Sequence, residues 1–393
     1  MTTIPFYKYT SLGNNFVIID ETNGTVLSEG AKSEFAFYAT SRSYGVGSDN
    51  FLVIQKCSRE LLMDIGHDRG YWGTTPDTAD AEYIFRMFEP DGTEALSCGN
   101  GLMCITYHLS LHYGVTNAKI LTELPTGKPR LVYLGTQSST QYCWANLGDP
   151  RLMPPQLAQM PPNTIYDGVV SIIDNMEIQF RKHDLTPISE EQSLRISAYM
   201  VFTGEPHLVI FPETGFSIKG LEESIFPAVT STLMATGSGE KRVAFGSWLL
   251  NHIGIYINKN YAHIFPSGIS VNVVRKSRTS NVLEYRCFER GINRETSACG
   301  TGAMAASFVA RQLGFIDTGT ITVLPICSRW NEPDAQLLVE QVDTGWLLHG
   351  KPRILVRGEF YFTGKSAKTQ SNVRTTSPRD VVDDRPVTLE ARG

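Results

Sequence analysis

Two stretches of this chain spell almost the same message. Arg86-Met-Phe-Glu-Pro-Asp-Gly-Thr-Glu-Ala-Leu-Ser-Cys98-Gly-Asn-Gly101 and Arg286-Cys-Phe-Glu-Arg-Gly-Ile-Asn-Arg-Glu-Thr-Ser-Ala-Cys299-Gly-Thr-Gly302 both run from Arg-x-Phe-Glu to Cys-Gly-x-Gly, and their cysteines stand 201 residues apart. A second pair supports the first. Gly13-Asn-Asn-Phe-Val-Ile-Ile-Asp20 and Gly204-Glu-Pro-His-Leu-Val-Ile-Phe211 are each a glycine turn entering a β-branched apolar run, 191 residues apart. Similar offsets at two places read as a duplication. The expectation is two like domains, residues 1–150 and 195–363, separated by a linker or insertion over 151–194 that is Pro-rich at first. Beyond Thr363 the chain is polar and aperiodic, so 364–393 reads as a disordered tail.

Within each repeat, short strands such as Phe51 to Ile54 and Ile321 to Leu324 surround one apolar stretch that follows the Cys-Gly-x-Gly. In the second copy it is Ala303 to Leu313, built of good helix formers and stopped by Gly314, and it is apolar nearly all round. Such a helix belongs at the centre of its domain. The first copy, Leu102 to Tyr113, follows the pattern less cleanly.

Composition narrows the chemistry. With 393 residues, 41% hydrophobic and 19% charged, the chain can bury a large core. Its net charge of −5 and the absence of any Lys/Arg run leave no footprint for nucleic acid or an anionic membrane, so a small-molecule partner is expected. No signal peptide and no long apolar run is visible, which reads as a cytoplasmic protein. Seven scattered cysteines without a CxxC pair read as reduced thiols. Gly-x-Ser-x-Gly, Walker and His-Glu-x-x-His motifs are missing, and His108 and His112, four apart, have no acidic partner in sequence to make a metal site.

A strand that ends in Cys-Gly-x-Gly and opens a helix sets its sulfur beside free backbone N–H groups and the positive end of the helix dipole. That placement favours a thiolate. The same N–H groups suit a carboxylate, and the glycines let it come close. Two such helix ends facing one another would hold a carboxylate between two thiols. One thiolate would remove a proton from one face of the adjacent carbon, and the opposed thiol would supply one to the other face.

At this point the residues resemble a known family, the diaminopimelate epimerases, over most of residues 4 to 363. The resemblance rests on Leu12-Gly-Asn-Asn-Phe16, Gly45-Val-Gly-Ser-Asp49, Asp91-Gly-Thr-Glu94 leading to Ser97-Cys-Gly-Asn-Gly101, Gly204-Glu-Pro-His207, Glu289-Arg-Gly291 and Ala298-Cys-Gly-Thr-Gly302, in that order. It implies an α+β fold of two pseudo-symmetric domains, each a curved sheet around a central helix, with the site in the cleft between them. It also implies a homodimer that uses no pyridoxal phosphate and no metal. Residue by residue, it makes Cys98 and Cys299 the acid/base pair, with His207 partnering Cys98 and Glu289 partnering Cys299. Gly99, Asn100, Gly300 and Thr301 would bind the reacting carboxylate. Asn14 would line the reacting end, Asn50, Glu89, Glu205 and Ser270 would line the substrate site, and Arg290 would grip a far carboxylate.

This sequence departs from the family at the far end. Glu89 and Glu205 stand where the family commonly has Asn, which exchanges a neutral amide for an acceptor-only carboxylate. Ser270 also stands where Asn is usual, with Asn272 two positions away as the other alignment. The proton-transfer set is kept while the far grip is altered, so the expected function is cofactor-independent racemisation or epimerisation of an amino acid other than diaminopimelate. Diaminopimelate epimerisation proper is the first alternative. A two-cysteine isomerase of a cyclic amino acid, peptide or unsaturated acid is the second, and a cleft that binds an amino acid or a protein partner without turnover is the third.

Overall fold

Runs of Val, Ile, Phe and Tyr make strands, and here they assemble twice in the same order. The computed structural model describes residues 2–77, 80–137, 142–159, 165–185, 189–226 and 237–363. The expected disordered tail lies outside them. The first set comprises β1 (Thr2–Ser11), β2 (Asn14–Glu21), β3 (Asn50–Lys56), β4 (Tyr83–Phe88), β5 (Glu94–Ala95), β6 (Asn117–Thr122), β7 (Arg130–Gln137) and β8 (Tyr142–Gly148). After β9 (Ile165–Asp167) and β10 (Val170–Gln179) come β11 (Ser193–Phe202), β12 (Pro206–Ile210), β13 (Ser270–Lys276), β14 (Val282–Glu289), β15 (Arg294–Thr296), β16 (Ile321–Pro325), β17 (Leu337–Val342) and β18 (Gly345–Gly350). The chain of described residues closes with β19 (Arg353–Phe362).

The pairings repeat strand for strand. β1–β2 is antiparallel and β2–β3 parallel, as are β11–β12 and β12–β13. β3–β4 is antiparallel and β4–β6 parallel, as are β13–β14 and β14–β16. Antiparallel β6–β7–β8 and β16–β17–β18 complete each set. Register identifies counterparts. Phe16 faces Asn50 as His207 faces Ser270, and Phe51 faces Phe88 as Val271 faces Phe288. Ser270 therefore occupies the place of Asn50, and Glu289 that of Glu89.

Two boundaries differ from the sequence reading. Val170–Gln179, placed in the linker, is a ten-residue strand paired with β11. The last strand, β19, pairs with β1 and so completes the first unit rather than the second. Each unit thus receives its flanking strand from chain outside its own repeat, which a periodicity argument cannot see. β8 and β18 then pair with each other and join the two units.

Five longer helices accompany the sheets: α1 (Glu29–Thr40), α2 (Arg59–Arg69), α3 (Gly99–Tyr113), α4 (Gly237–Asn260) and α5 (Gly300–Gln312). α3 and α5 are the central pair. Ten residues of α3 and the run Gly300–Ala310 of α5 are buried. Leu102 and Ile105 of α3 share one apolar cluster with Met304 and Val309 of α5, Tyr9, Trp346 and Leu348. α1 covers the outside of the first sheet through Phe35 and Ala36. α4, which the sequence reading left unassigned, covers the second through Leu249, Leu250, Ile253 and Ile257. The Arg of each Arg-x-Phe-Glu is structural: Arg86 is buried against Glu94 and Glu29, and Arg286 against Glu295. His108 bonds Tyr9 through Nδ1 and Asp20 through Nε2, so both its nitrogens are engaged in the core.

Candidate active site

Cys98 and Cys299 are the N-cap residues of α3 and α5, each in extended backbone conformation, with the sulfur accepting the N–H of the third helical residue. Gly101 N donates to Cys98 Sγ at 3.3 Å and Gly302 N to Cys299 Sγ at 3.3 Å. The first helical bonds begin at Leu102 and Ala303, so the amides of Gly99, Asn100, Gly300 and Thr301 lie ahead of both ladders. The two helix ends touch. A Cβ on Gly99 would lie 3.2 Å from Gly300 Cα, and one on Gly300 would lie 3.1 Å from Gly99 Cα and from Asn100 N. Only residues without a side chain allow two positive helix ends to meet at one point.

One narrow cavity opens there, lined by Met87, Glu89, Ser97, Cys98, Glu205, His207, Ser270, Glu289, Arg290, Cys299 and Thr301. Nine of these are residues the sequence singled out; Met87 and Ser97 were missed. Asn14, Asn50 and Asn100 support the wall. Asn14 Oδ1 accepts from Ala298 N at 3.0 Å while its Nδ2 donates to Glu289 Oε1 at 3.5 Å. Asn50 Nδ2 donates to Glu89 Oε2 at 2.8 Å, and Asn100 Nδ2 to Ala298 O at 2.8 Å.

The surroundings of Cys299 are crowded with polar groups. Its Sγ, Cys287 Sγ and a Glu289 oxygen lie within 4.8 Å of one another, the only such group of His, Cys, Asp and Glu among the described residues, and two sulfurs with a carboxylate could hold a soft cation such as zinc. Thr296 donates to Glu289. Burial, with the charge of Asp49 adding, pushes Glu289 up to about 7 against the hydrogen bonds from Thr296 and Asn14. Tyr285, fully buried on β14, accepts from Cys299 N at 2.7 Å and donates to Cys299 O at 3.0 Å. Its counterpart in the first copy is Phe85, which has no hydroxyl. Cys98 has less company, and burial together with the charge of Glu289 pushes its thiol well above the ordinary range.

His207 differs from expectation. Asn272 donates one amide hydrogen to Leu208 O and the other to His207 Nδ1, each at 3.1 Å. Leu208 O can only accept, so Nδ1 must accept as well, and the ring proton sits on Nε2, directed at Thr301 Oγ1 2.9 Å away. The Thr301 hydroxyl is then left to donate to Cys299 Sγ at 3.4 Å. His207 was expected beside Cys98; both its nitrogens are instead occupied, and its hydrogen bonds run toward Cys299. Burial and the charge of Arg290 bring it down to about 3, so it is neutral at working pH. Asn272, Tyr285 and Cys287 were not among the expected site residues. The one signal for Asn272 was the two-position ambiguity with Ser270.

At the far end, Arg290 Nε donates to Glu205 Oε2 at 2.8 Å and Nη2 donates to the same oxygen, while Nη1 donates to Ser267 O at 3.1 Å. Ser270 Oγ accepts from Arg290 N at 3.2 Å. The guanidinium expected to grip a carboxylate is already engaged by Glu205. The other oxygen of Glu205 accepts from Leu96 N and Ser97 N. Burial and the charges of Glu205 and Glu289 push Glu89 up to about 8 against Arg290 and Asn50.

Residues 6–138 match the family model described as diaminopimelate epimerase. A diaminopimelate epimerase of Methanothrix thermoacetophila is 30% identical over 318 residues, covering 80% of this chain and 84% of the relative. One from Teredinibacter turnerae is 28% identical over 320 residues, covering 81% and 87%. Among solved structures, a hydroxyproline epimerase from Agrobacterium vitis with bound trans-4-hydroxy-L-proline superposes with a TM-score of 0.51 at 10% identity, over 91% of this chain and 92% of that one. A probable proline racemase from Agrobacterium radiobacter gives 0.52 at 11% identity, over 92% and 93%. At such identities these two likenesses establish the shared α+β fold.

Proposed function

The chain belongs to the diaminopimelate epimerase family, an isomerase family, and on that premise we propose that it inverts the α-carbon of an amino acid other than diaminopimelate by two-base proton transfer between Cys98 and Cys299. The observation that carries the reading is the meeting of two thiol-capped helix ends in one cavity. An α-carboxylate seated on the amides of Gly99, Asn100, Gly300 and Thr301 would have its α-carbon between the two sulfurs.

Each group then has a task. In one direction Cys299 is the base: it passes its proton to Glu289, whose raised pKa matches that task near neutrality, and takes the α-proton. The Thr301 hydroxyl, ordered by His207 and Asn272, stabilises the thiolate. Cys98, held protonated, delivers a proton to the opposite face. In the reverse direction the two sulfurs exchange roles. The departure from diaminopimelate rests on Glu89 and Glu205, two carboxylates where the family commonly has neutral amides. Incubation of the reduced protein with single amino acids, followed by chiral chromatography, is the test. One compound should be racemised by the parent and left untouched by Cys98→Ala and Cys299→Ala, and efficient conversion of LL-diaminopimelate alone would return the protein to the family's namesake reaction.

A further inference from the structure

The duplication supplies an internal control for the far end of the cavity. Asn14 and Glu205 occupy equivalent positions, one residue after the turn glycines Gly13 and Gly204, and each accepts the N–H of the residue before a capping cysteine, Ala298 and Ser97 respectively. Glu289 and Glu89 are likewise equivalent. In one copy the Asn14 amide donates to Glu289, and Thr296 donates as well. In the other copy Glu205 has no hydrogen to give, so Glu89 meets a carboxylate where its counterpart meets a donor. Asn50 satisfies one oxygen of Glu89, and no protein donor reaches the second among the described residues. Glu89 lines the cavity that holds both sulfurs.

The one cation in this wall does not balance it. Arg290 spends two donors on Glu205 and a third on Ser267 O. Three carboxylates, Glu89, Glu205 and Glu289, thus face a single guanidinium, and that guanidinium is turned away from any ligand carboxylate by the Glu205 pair. Burial beside two other carboxyl groups therefore favours the protonated form of Glu89, and a cation placed against it would restore the ionised form.

We propose that the substrate is an amino acid with a positively charged side chain, its far ammonium, guanidinium or imidazolium donating to the open oxygen of Glu89. This rests on the two-base reading and names the substrate class of that site. A far-end carboxylate meets repulsion from Glu89 and finds Arg290 occupied, and a neutral side chain brings no charge to offset an ionised Glu89.

The experiment compares kcat/KM, measured as α-proton exchange in D₂O, for arginine against citrulline, lysine against norleucine, and both against LL-diaminopimelate and glutamate. The best cationic compound should exceed its neutral counterpart by about 100-fold, the scale on which buried charge pairing discriminates. Glu89→Gln should shrink that ratio below about tenfold, mainly through KM. Glu205→Asn, which releases Arg290, should raise kcat/KM for LL-diaminopimelate by about tenfold or more. Because Glu89 sits near 8 in the free protein, calorimetric titration of arginine at pH 7 in buffers of different ionisation enthalpy should register proton release, which Glu89→Gln abolishes. Preference for a neutral or acidic amino acid, or a cationic preference untouched by Glu89→Gln, overturns this inference alone. Exchange with none of the compounds overturns the two-base reading and this inference with it.

Discussion

Around Cys299 the sulfur meets the Gly302 N–H and the Thr301 hydroxyl and lies beside Glu289 and Cys287, whereas the sulfur of Cys98 accepts one hydrogen bond, from Gly101. Tyr285 clamps the backbone of Cys299, and its place in the first copy is held by Phe85. The two halves share a backbone and a cap, and they differ in polar surroundings. A racemase needs both sulfurs, but it needs one ionised and one protonated at the start of each turnover. On the two-base proposal the difference between the copies serves the direction that begins at Cys299: that thiol has a nearby base to receive its proton, while burial and a neighbouring carboxylate favour the protonated form of Cys98.

The largest effects come from removing either sulfur. Cys98→Ala and Cys299→Ala should each lower kcat for inversion by about 10³-fold or more, the upper part of the range for acid/base groups. A variant that still inverts the α-carbon at near-parent rate would show that the halves are not equal partners in the reaction.

Next in size is the buried ion pair that each half repeats. Glu295→Ala removes the carboxylate that meets Arg286 Nε and Nη2 in the core and should cost about 3–5 kcal/mol of stability, read from denaturant midpoints. Glu94→Ala leaves Arg86 with Glu29, so the further loss on adding Glu29→Ala measures what that carboxylate contributes. An unchanged midpoint on adding Glu29→Ala would mean that the additional carboxylate contributes nothing in the first half.

Glu289→Gln should lower kcat/KM by about 10²-fold. In the direction that begins at Cys299, the parent's activity should rise with pH through about 7, because Glu289 accepts a proton only when ionised. The variant should lose that limb. His207, neutral down to about 3, contributes no limb of its own in this range. Tyr285→Phe, which gives the second half the residue of the first, should have the smallest effect: about 1 kcal/mol of stability and a few-fold in kcat.

Much of this was legible in the chain because the duplication fell on the chemistry. The repeated Cys-Gly-x-Gly located both caps, while the glycines were read as room for a carboxylate and not as the contact between the helix ends that they also permit. Glu89, Glu205, Ser270 and Arg290 followed from motif position. Their mutual bonds did not, because Arg290 pairing with Glu205 joins the turn after β14 to the turn before β12, 85 residues apart and on either side of β13. The direction of His207 was illegible for the same reason, since it is set by Asn272 on a parallel neighbour, β13. β19 and β10 escaped because strand exchange between repeats leaves no period in sequence, and α4 because its counterpart α1 is half as long and shares no motif with it.

The central claim, two bases on opposite faces, is tested most directly by isotope position at early turnover. One enantiomer of the substrate is incubated in D₂O, stopped at a few per cent conversion, separated by chiral chromatography and examined by NMR. A thiol delivers its own solvent-derived deuteron to the product, while the α-proton removed by the other thiol returns to the substrate before it exchanges. The account predicts a deuterated product and a recovered substrate that is still protonated at the α-carbon. Deuterium in both enantiomers from the outset, or protium carried from substrate into product, would contradict it and point to a single base serving both faces.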